Sequence, residues 1–386
     1  MKAKRAQRLA IVGASARAAA FSALRAGYEV VAADLFADAD LAEACDATRV
    51  ERYPAGLVDW LAATECDAWL YTGALENHPA LVDRMAAVRP LLGNGGGALR
   101  RVRDPWLLQR ELRDAGLRFP ETAASPSGLP RDGSWLCKTY RGASGAGVWT
   151  LDGEAAAQRC TRQGAVCQQL VEGVAASAVF ALAQHGARLL GVTRQVIGDA
   201  STGAGRWQYA GSAGPLIVGR RAGGQLTWLG LVLAERFELR GVVGVDFVLA
   251  DEEAWVVEVN PRYVASSEIV EWITGESAIA AHVAACVGER IGSGGKAPFD
   301  SSLVRGKTVL FARRDVAVSD AFAAWARGEA SLDLGEGKVA DVPRAGETIA
   351  RGRPVVTVFA SAPAGGYDEA LRQRVAEVER RLYGGG

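Results

Sequence analysis

Short apolar runs divided by polar turns set out the expected elements. Residues 9–12 are continuously apolar and end in Gly13, an Ala-rich helical stretch follows, and residues 28–33 form a second apolar run closed by Asp34. This β-α-β pattern predicts a parallel sheet at the start of the chain. Residues 67–72 are a further strand that runs into the polar loop 73–79. Open parallel sheets place ligands at the carboxyl ends of their strands, so Ser15, Arg17, Glu76 and Asn77 are candidates to line one substrate crevice. Helix-start punctuation by Asn77 and Pro79 is an equal alternative. Residues 93–97, four glycines and Asn94, predict a flexible joint and a first boundary near residue 98.

Beyond the joint, a helix is expected over about 104–115, stopped by Gly116. Residues 134–140 and the run from Val148 read as strands around the glycine-rich turn 141–147, and residues 165–173 as another. A strand over 189–192 precedes Arg194, a candidate to hold a substrate carboxylate through a bidentate contact. The long glycine-rich stretch 197–224, with Trp207 and Tyr209, predicts a lid or substrate loop. Residues 241–249 and 254–262 alternate apolar and polar positions as two antiparallel strands joined by the acidic turn 251–253. Strands over 307–312 and 354–360 and a last helix striped by Leu371, Val375, Val378 and Leu382 close the chain.

A length of 386 residues predicts two or three folded units, and 49% hydrophobic with 23% charged residues is ordinary for a soluble globular protein. Acidic and basic residues balance at 44 each, which leaves no surplus charge to hold a polyphosphate backbone and argues against nucleic acid as a partner. Six cysteines without a CxxC pair, no secretory leader and no run of membrane-spanning length lead us to expect reduced thiols, no membrane partner and a cytoplasmic location. His78, His185 and His282 have no metal spacing, and His185 reads as a solvated turn residue. Only six of the basic residues are Lys, and Lys138 is alone between residues 5 and 295.

That lysine precedes the glycine turn. Glycines let backbone N–H groups wrap a phosphate chain, and a lysine on the preceding strand can neutralise it. On the strand ending at residue 262, Glu258, Asn260 and Arg262 share one face at spacing two, and Asp246 can meet them across the pair. Two carboxylates buried together call for a cation, and hard oxygen ligands completed by phosphate suit Mg²⁺. The first βα turn lacks the later glycines of a dinucleotide fingerprint, so Asp34 reads as an ordinary strand-end acid and a dehydrogenase is disfavoured.

The order Lys138, glycine loop, residues 168–173, Asp246, then Glu258 to Arg262 resembles the ATP-grasp superfamily of carboxylate ligases over residues 100–290. The resemblance implies an α/β and α+β chain: a Rossmann-like parallel-sheet domain at 1–98, then a linking helix and central subdomain at 99–172. A metal-binding subdomain at 173–300 and a closing segment at 301–386 complete it. It implies ATP and Mg²⁺ as cofactors. Lys138 would meet the α- and β-phosphates under a loop including Ser144, Gly145 and Gly147. Gln168 and the backbone of Gln169 and Leu170 would hold adenine, with Glu172 near the ribose. Asp246, Glu258 and Asn260 would hold the metal, and Arg262 would steady the transferring phosphoryl group. Tyr263, Ser266, Ser267 and Glu268 would shape the acceptor pocket.

Two departures stand out. Many relatives carry Asp-Lys where this chain has Asp104-Pro105, so that contact is missing or comes from Arg101 or Arg103, and the acid some relatives place after the hinge glycine is replaced by Ala175 and Ala176. Residues 13–17, 73–79, 340–343 and 352–358 are similar to the ATP-grasp subgroup found with tetrahydromethanopterin- and methanofuran-type one-carbon cofactor synthesis, tyramine glutamate ligase included. The expected activity is therefore amide formation between small-molecule carboxylate and amine substrates, glutamate among them, with a homodimer kept open. Activation of bicarbonate, or ATP binding without turnover, are the alternatives.

Overall fold

The computed structural model describes residues 7–184, 186–289 and 302–384. The expectations for His185 and for the 300/301 border fall outside them. The chain opens with β1 (Arg8–Val12), α1 (Arg17–Arg25), β2 (Glu29–Asp34), α2 (Ala39–Ala44), β3 (Asp46–Arg49), α3 (Leu57–Ala63), β4 (Ala68–Tyr71) and α4 (Pro79–Ala86). Its four strands form a parallel sheet in the order β3-β2-β1-β4. Both faces of such a sheet are covered, which is why β1 and β4 are apolar without alternation. The Asp34 carboxylate accepts N–H groups from Ala16 (2.8 Å), Ala37 (2.7 Å) and Phe36 (2.9 Å), the structural role expected of it.

Two helices, α5 (Gly96–Val102) and α6 (Pro105–Asp114), lead out of this domain. The expected flexible joint is corrected: α5 runs through residue 98, and Asn94 is buried, bonded to the Arg240 and Pro261 carbonyls and to the Arg240 N–H. Asp104 caps α6 by accepting from Trp106 N and Leu107 N, and Pro105 takes the first helical position, where its missing N–H is no loss.

A small antiparallel sheet follows, order β5-β8-β6-β7, from β5 (Thr122–Ala123), β6 (Trp135–Lys138), β7 (Val148–Thr150) and β8 (Val166–Gln169), with α7 (Glu154–Gln163) packed on it. The rest is organised by an eight-stranded antiparallel sheet, order β13-β12-β9-β10-β11-β14-β18-β16. Its members are β9 (Val174–Ala183), β10 (Gly186–Ile197), β11 (Tyr209–Gly214), β12 (Gly241–Ala250), β13 (Glu253–Asn260), β14 (Leu303–Phe311), β16 (Val339–Ala340) and β18 (Pro354–Pro363); β15 (Val316–Ala317) and β17 (Thr348–Ile349) pair separately. One expectation is corrected here. The stretch 197–224 is no free lid: it contains β11, which joins β10 to β14, and the start of α8 (Arg220–Arg236). In the closing segment, β14, β16 and β18 extend the same sheet.

One face of this sheet packs on α8 through Phe180, Leu226, Leu233, Val243 and Phe247. Against the other lie α9 (Ala265–Thr274) and α10 (Ala278–Cys286), whose Val270, Ile279 and Val283 share a core with Leu9, Ile11 and Ala20 of the first domain. A third core joins α11 (Asp320–Glu329) and α12 (Tyr367–Tyr383) to β14 and β18; Val375, Val378 and Leu382 are buried as their spacing requires, while Leu371 is only partly so. The first domain is thus held by shared apolar contacts to the sheet that carries the polar strands.

Candidate active site

Lys138 ends β6. The register sets Cys137 opposite Cys167, so Lys138 and Gln168 lie on the other face of the same two strands, where Lys138 Nζ donates to Gln168 Oε1. Burial pulls the Lys138 ammonium below the usual lysine value, and the charges of Glu258 and Asp246 pull against it without restoring it. A desolvated cation within reach of two acids is suited to a phosphate chain. The turn after it is bent by positive φ at Ser144 (51°), Gly145 (79°) and Gly147 (84°). A Cβ on Gly145 would collide with the Trp207 carbonyl, and the Tyr209 N–H bonds the Ser144 carbonyl (3.3 Å), so the loop tip rests on the segment leading into β11.

Strands β12 and β13 set Asp246 opposite Glu258 and Gly244 opposite Asn260, with a bulge just after Asp246. The Asp246 carboxylate accepts from Gln195 Nε2 (2.7 Å) and Asn260 Nδ2 (3.1 Å). Its pKa nonetheless rises to about 7, first through burial and then through the Glu258 charge. Arg262 donates to Glu76 Oε1 (2.7 Å) and Asn260 Oδ1 (3.2 Å). Burial works against both charges of the Arg262–Glu76 pair, but each partner outweighs it: Arg262 is held above its ordinary value and Glu76 below. Arg103, between α5 and α6, reaches Asn77 Oδ1 (2.8 Å), the Tyr140 carbonyl (3.0 Å) and Glu258 Oε1 (3.4 Å). An open cleft lined by Glu76, Asn77, Arg103, Tyr140 and Arg141 continues from this group.

The structure therefore brings Lys138, Gln168, Asp246, Glu258, Asn260 and Arg262 together and adds Glu76 and Asn77 from the first domain. Of the two arginines that might replace the missing lysine, Arg103 is at the site, while Arg101 turns to Glu238 (2.5 Å) and the Phe237 carbonyl. Gln195, bonded to Asp246, was missed because one glutamine in an alternating strand has no signal of its own.

Several expectations are corrected. Arg194 points to the opposite sheet face from its neighbour Gln195 and pairs with Asp368 (3.3 Å). Arg17 is buried in an ion network with Glu268, Asp341 and Asp40, at the wall of a cavity that Glu268 and Trp272 also line. Glu268 is committed to Arg17 and Lys307 rather than to an acceptor pocket, and Tyr263 and Ser266 are likewise buried and bonded to Glu271 and Ser177. The N–H groups of Gln169 and Leu170 are spent on the carbonyls of Glu121 (2.8 Å) and Ser134 (2.8 Å) and are not free for a ligand. Ser15 is exposed, its carbonyl held by Thr72 Oγ1 (2.7 Å), and Glu172 is exposed just after β8.

The Asp246, Glu258 and Asn260 oxygens fit a hard divalent cation, because burial and then the facing Glu258 charge raise the Asp246 pKa to about 7 and a cation would relieve both. With a pKa raised above its ordinary value, Asp246 contributes stability at low pH that is lost as pH rises through about 7. Mg²⁺ should compete with that proton. Millimolar Mg²⁺ is therefore expected to raise the melting temperature more at about pH 8 than at about pH 5.5. Equal shifts at both values would remove Asp246 from the metal set.

Residues 102–266 match the ATP-grasp domain family. No curated protein matches the chain. Among solved structures, it resembles a carboxyaminoimidazole ribonucleotide synthase from Aspergillus clavatus complexed with ATP, at 14% identity and a TM-score of 0.69 over 98% of this chain and 99% of that one. An L-amino acid ligase from Bacillus licheniformis aligns at 16% identity and TM-score 0.69 over 98% of both chains. The biotin carboxylase domain of a Hydrogenobacter thermophilus 2-oxoglutarate carboxylase, solved with MgADP and bicarbonate, aligns at 13% and 0.67 over 93% and 87%. The chain has the ATP-grasp fold, preceded by a parallel-sheet domain.

Proposed function

We propose that the protein is an ATP- and Mg²⁺-dependent carboxylate–amine ligase that forms an amide through an acyl phosphate. The observation that carries this reading is the meeting of a desolvated lysine, two opposed carboxylates and a buried arginine beside a cleft that the first domain helps to line. In this reading Lys138 and the 142–147 loop hold the phosphates, and Gln168 and the carbonyls after it face adenine. Arg262, fixed by Glu76, neutralises charge on the phosphoryl group in transfer. Asp246, Glu258 and Asn260 would hold Mg²⁺, which would supply positive charge to offset that of the phosphates. The substrate carboxylate attacks the γ-phosphorus and displaces ADP; the amine then attacks the acyl carbon and phosphate leaves. The amine itself is the attacking group, so positioning and charge neutralisation are what the side chains supply.

The acid or amine is, in the narrower proposal, an amino acid such as glutamate joined to a one-carbon cofactor precursor. The test is coupled ADP release across a panel of acids and amines, expected only when one of each is present. A second reading, favoured by the carboxylase neighbour solved with bicarbonate, makes bicarbonate the activated acid; ADP release that needs bicarbonate and no other acid would establish it over the first. Arg103→Ala is expected to raise KM for ATP by about tenfold, the loss of a charge-assisted contact, while Arg101→Ala leaves it unchanged. Equal effects of the two would deny Arg103 the place of the missing lysine.

A further inference from the structure

Behind the Lys138–Gln168 pair lies a group that the ligase reading does not use. Cys137 on β6, Cys160 in the last turn of α7 and Cys167 on β8 are fully buried, with their three Sγ atoms all within 4.8 Å of one another and Cys160 Sγ 3.5 Å from Cys167 Sγ. The residues packed around them in this core, Trp135, Trp149, Leu151, Ala157 and Ala165, are apolar. Cys160 Sγ also reaches the Ala165 carbonyl (3.4 Å). Burial raises the Cys137 thiol well above the usual range and the Cys167 thiol to about 12, so these two keep their protons in the free protein.

Three converging sulfurs are a soft donor set, but the charge of the product decides what they can hold. Zinc on three thiolates leaves a net anion and lacks the fourth ligand of a closed structural site, and copper(I) leaves a larger negative charge. Either anion would sit among tryptophan, leucine and alanine side chains, where burying a net charge is costly. A trivalent metalloid on three thiolates is neutral and three-coordinate.

We propose that Cys137, Cys160 and Cys167 form a binding site for a trivalent, thiol-seeking metalloid hydroxide of the arsenite class, held as a neutral tris-thiolate. The step balances without an oxidant. Three arsenic–oxygen bonds break and three arsenic–sulfur bonds form, each thiol proton leaves with one hydroxide as water, and arsenic stays trivalent. Entry requires transient opening of the small sheet, whose core is a satellite of the main one. Once filled, the site ties β6, β8 and α7 together one residue from Lys138 and from Gln168.

The test uses the full chain carrying Cys45→Ala, Cys66→Ala and Cys286→Ala, which keeps only the trio and leaves its packing untouched. After incubation with sodium arsenite and gel filtration, one arsenic per chain with three sulfur neighbours by X-ray absorption is expected, together with a raised melting temperature. Cys160→Ala in the otherwise natural chain should weaken retention at least tenfold, and Zn²⁺ should not be retained by the three-cysteine variant. Absence of arsenic from the three-cysteine variant would overturn the proposal, as would undiminished arsenic in a folded Cys160→Ala chain, or retention of one Zn²⁺ in its place.

Discussion

Lys138→Ala is expected to lower the rate of ADP release by about 10²–10³-fold, the usual loss when one preorganised charge-stabilising donor is removed from an active site. The melting temperature should not fall, because the ammonium is held against its own desolvation and the alanine variant relieves that cost. Glu258→Gln should reduce the rate on a similar scale, with the further sign that added Mg²⁺ does not rescue it. Steady-state ADP release and a thermal melt on each variant check both halves. Near-wild-type turnover in Lys138→Ala would remove the nucleotide from this site and the ligase reading with it.

The second large effect is on stability. Arg17 on α1 donates to Asp341 through Nε (3.0 Å) and Nη2 (3.2 Å) and to Glu268 on α9 through Nη1 and Nη2, while Lys307 on β14 meets the same glutamate (2.6 Å). Thr357 on β18 donates to Asp341 (2.5 Å), and the Asp40 carboxylate accepts the Asp341 and Val342 N–H groups (2.9 and 3.0 Å). One side chain thus ties the first domain, α9 and the closing strands. Burial alone would raise the Glu268 pKa, but Arg17 and then Lys307 hold it at about 2. Removing one partner of such a network leaves an uncompensated buried charge, so Arg17→Ala should destabilise the chain by about 3–5 kcal/mol. Denaturant unfolding measures it, and an unchanged midpoint would mean that the shared apolar core alone holds the first domain. The stability carried by Glu268 is present above about pH 4.5 and lost as pH falls toward its folded value, so acid should narrow the gap between the variant and the natural chain.

What was legible in the sequence follows from periodicity. The alternation over 241–262 placed Asp246, Glu258 and Asn260 on one sheet face, and β12 and β13 set Asp246 directly opposite Glu258. The apolar runs of β1 and β2 announced a parallel sheet, and the helical stretch stopped by Gly116 announced α6. The misplaced residues share a different cause. Arg17 and Glu268 lie 251 positions apart, and which of 38 arginines finds a buried acid depends on how α1 meets α9. Arg194 and Gln195 are neighbours on one strand, and the strand's register alone decides which of them faces Asp246. The glycines of 197–224 suggested a loop because glycine lowers strand propensity, but Gly211 and Gly214 lie in β11, and a Cβ at Gly211 would strike the Lys307 backbone of β14.

By itself the amino-acid order determined the local elements and the chemical kinds of the site: a lone lysine before a glycine turn, acids at spacing two on a strand, an arginine after a proline. Hydrophobic period and turn residues act over a few positions and can be read there. Tertiary structure alone decided that Glu76 clamps Arg262, that Arg103 reaches Asn77 and Glu258, that Arg17 ties α1 to Glu268 and Asp341, and that three thiols converge behind Lys138. Those are pairings across long loops. Their partners are selected by packing the first domain, the small sheet and the eight-stranded sheet against one another, and that selection has no counterpart in any single stretch of chain.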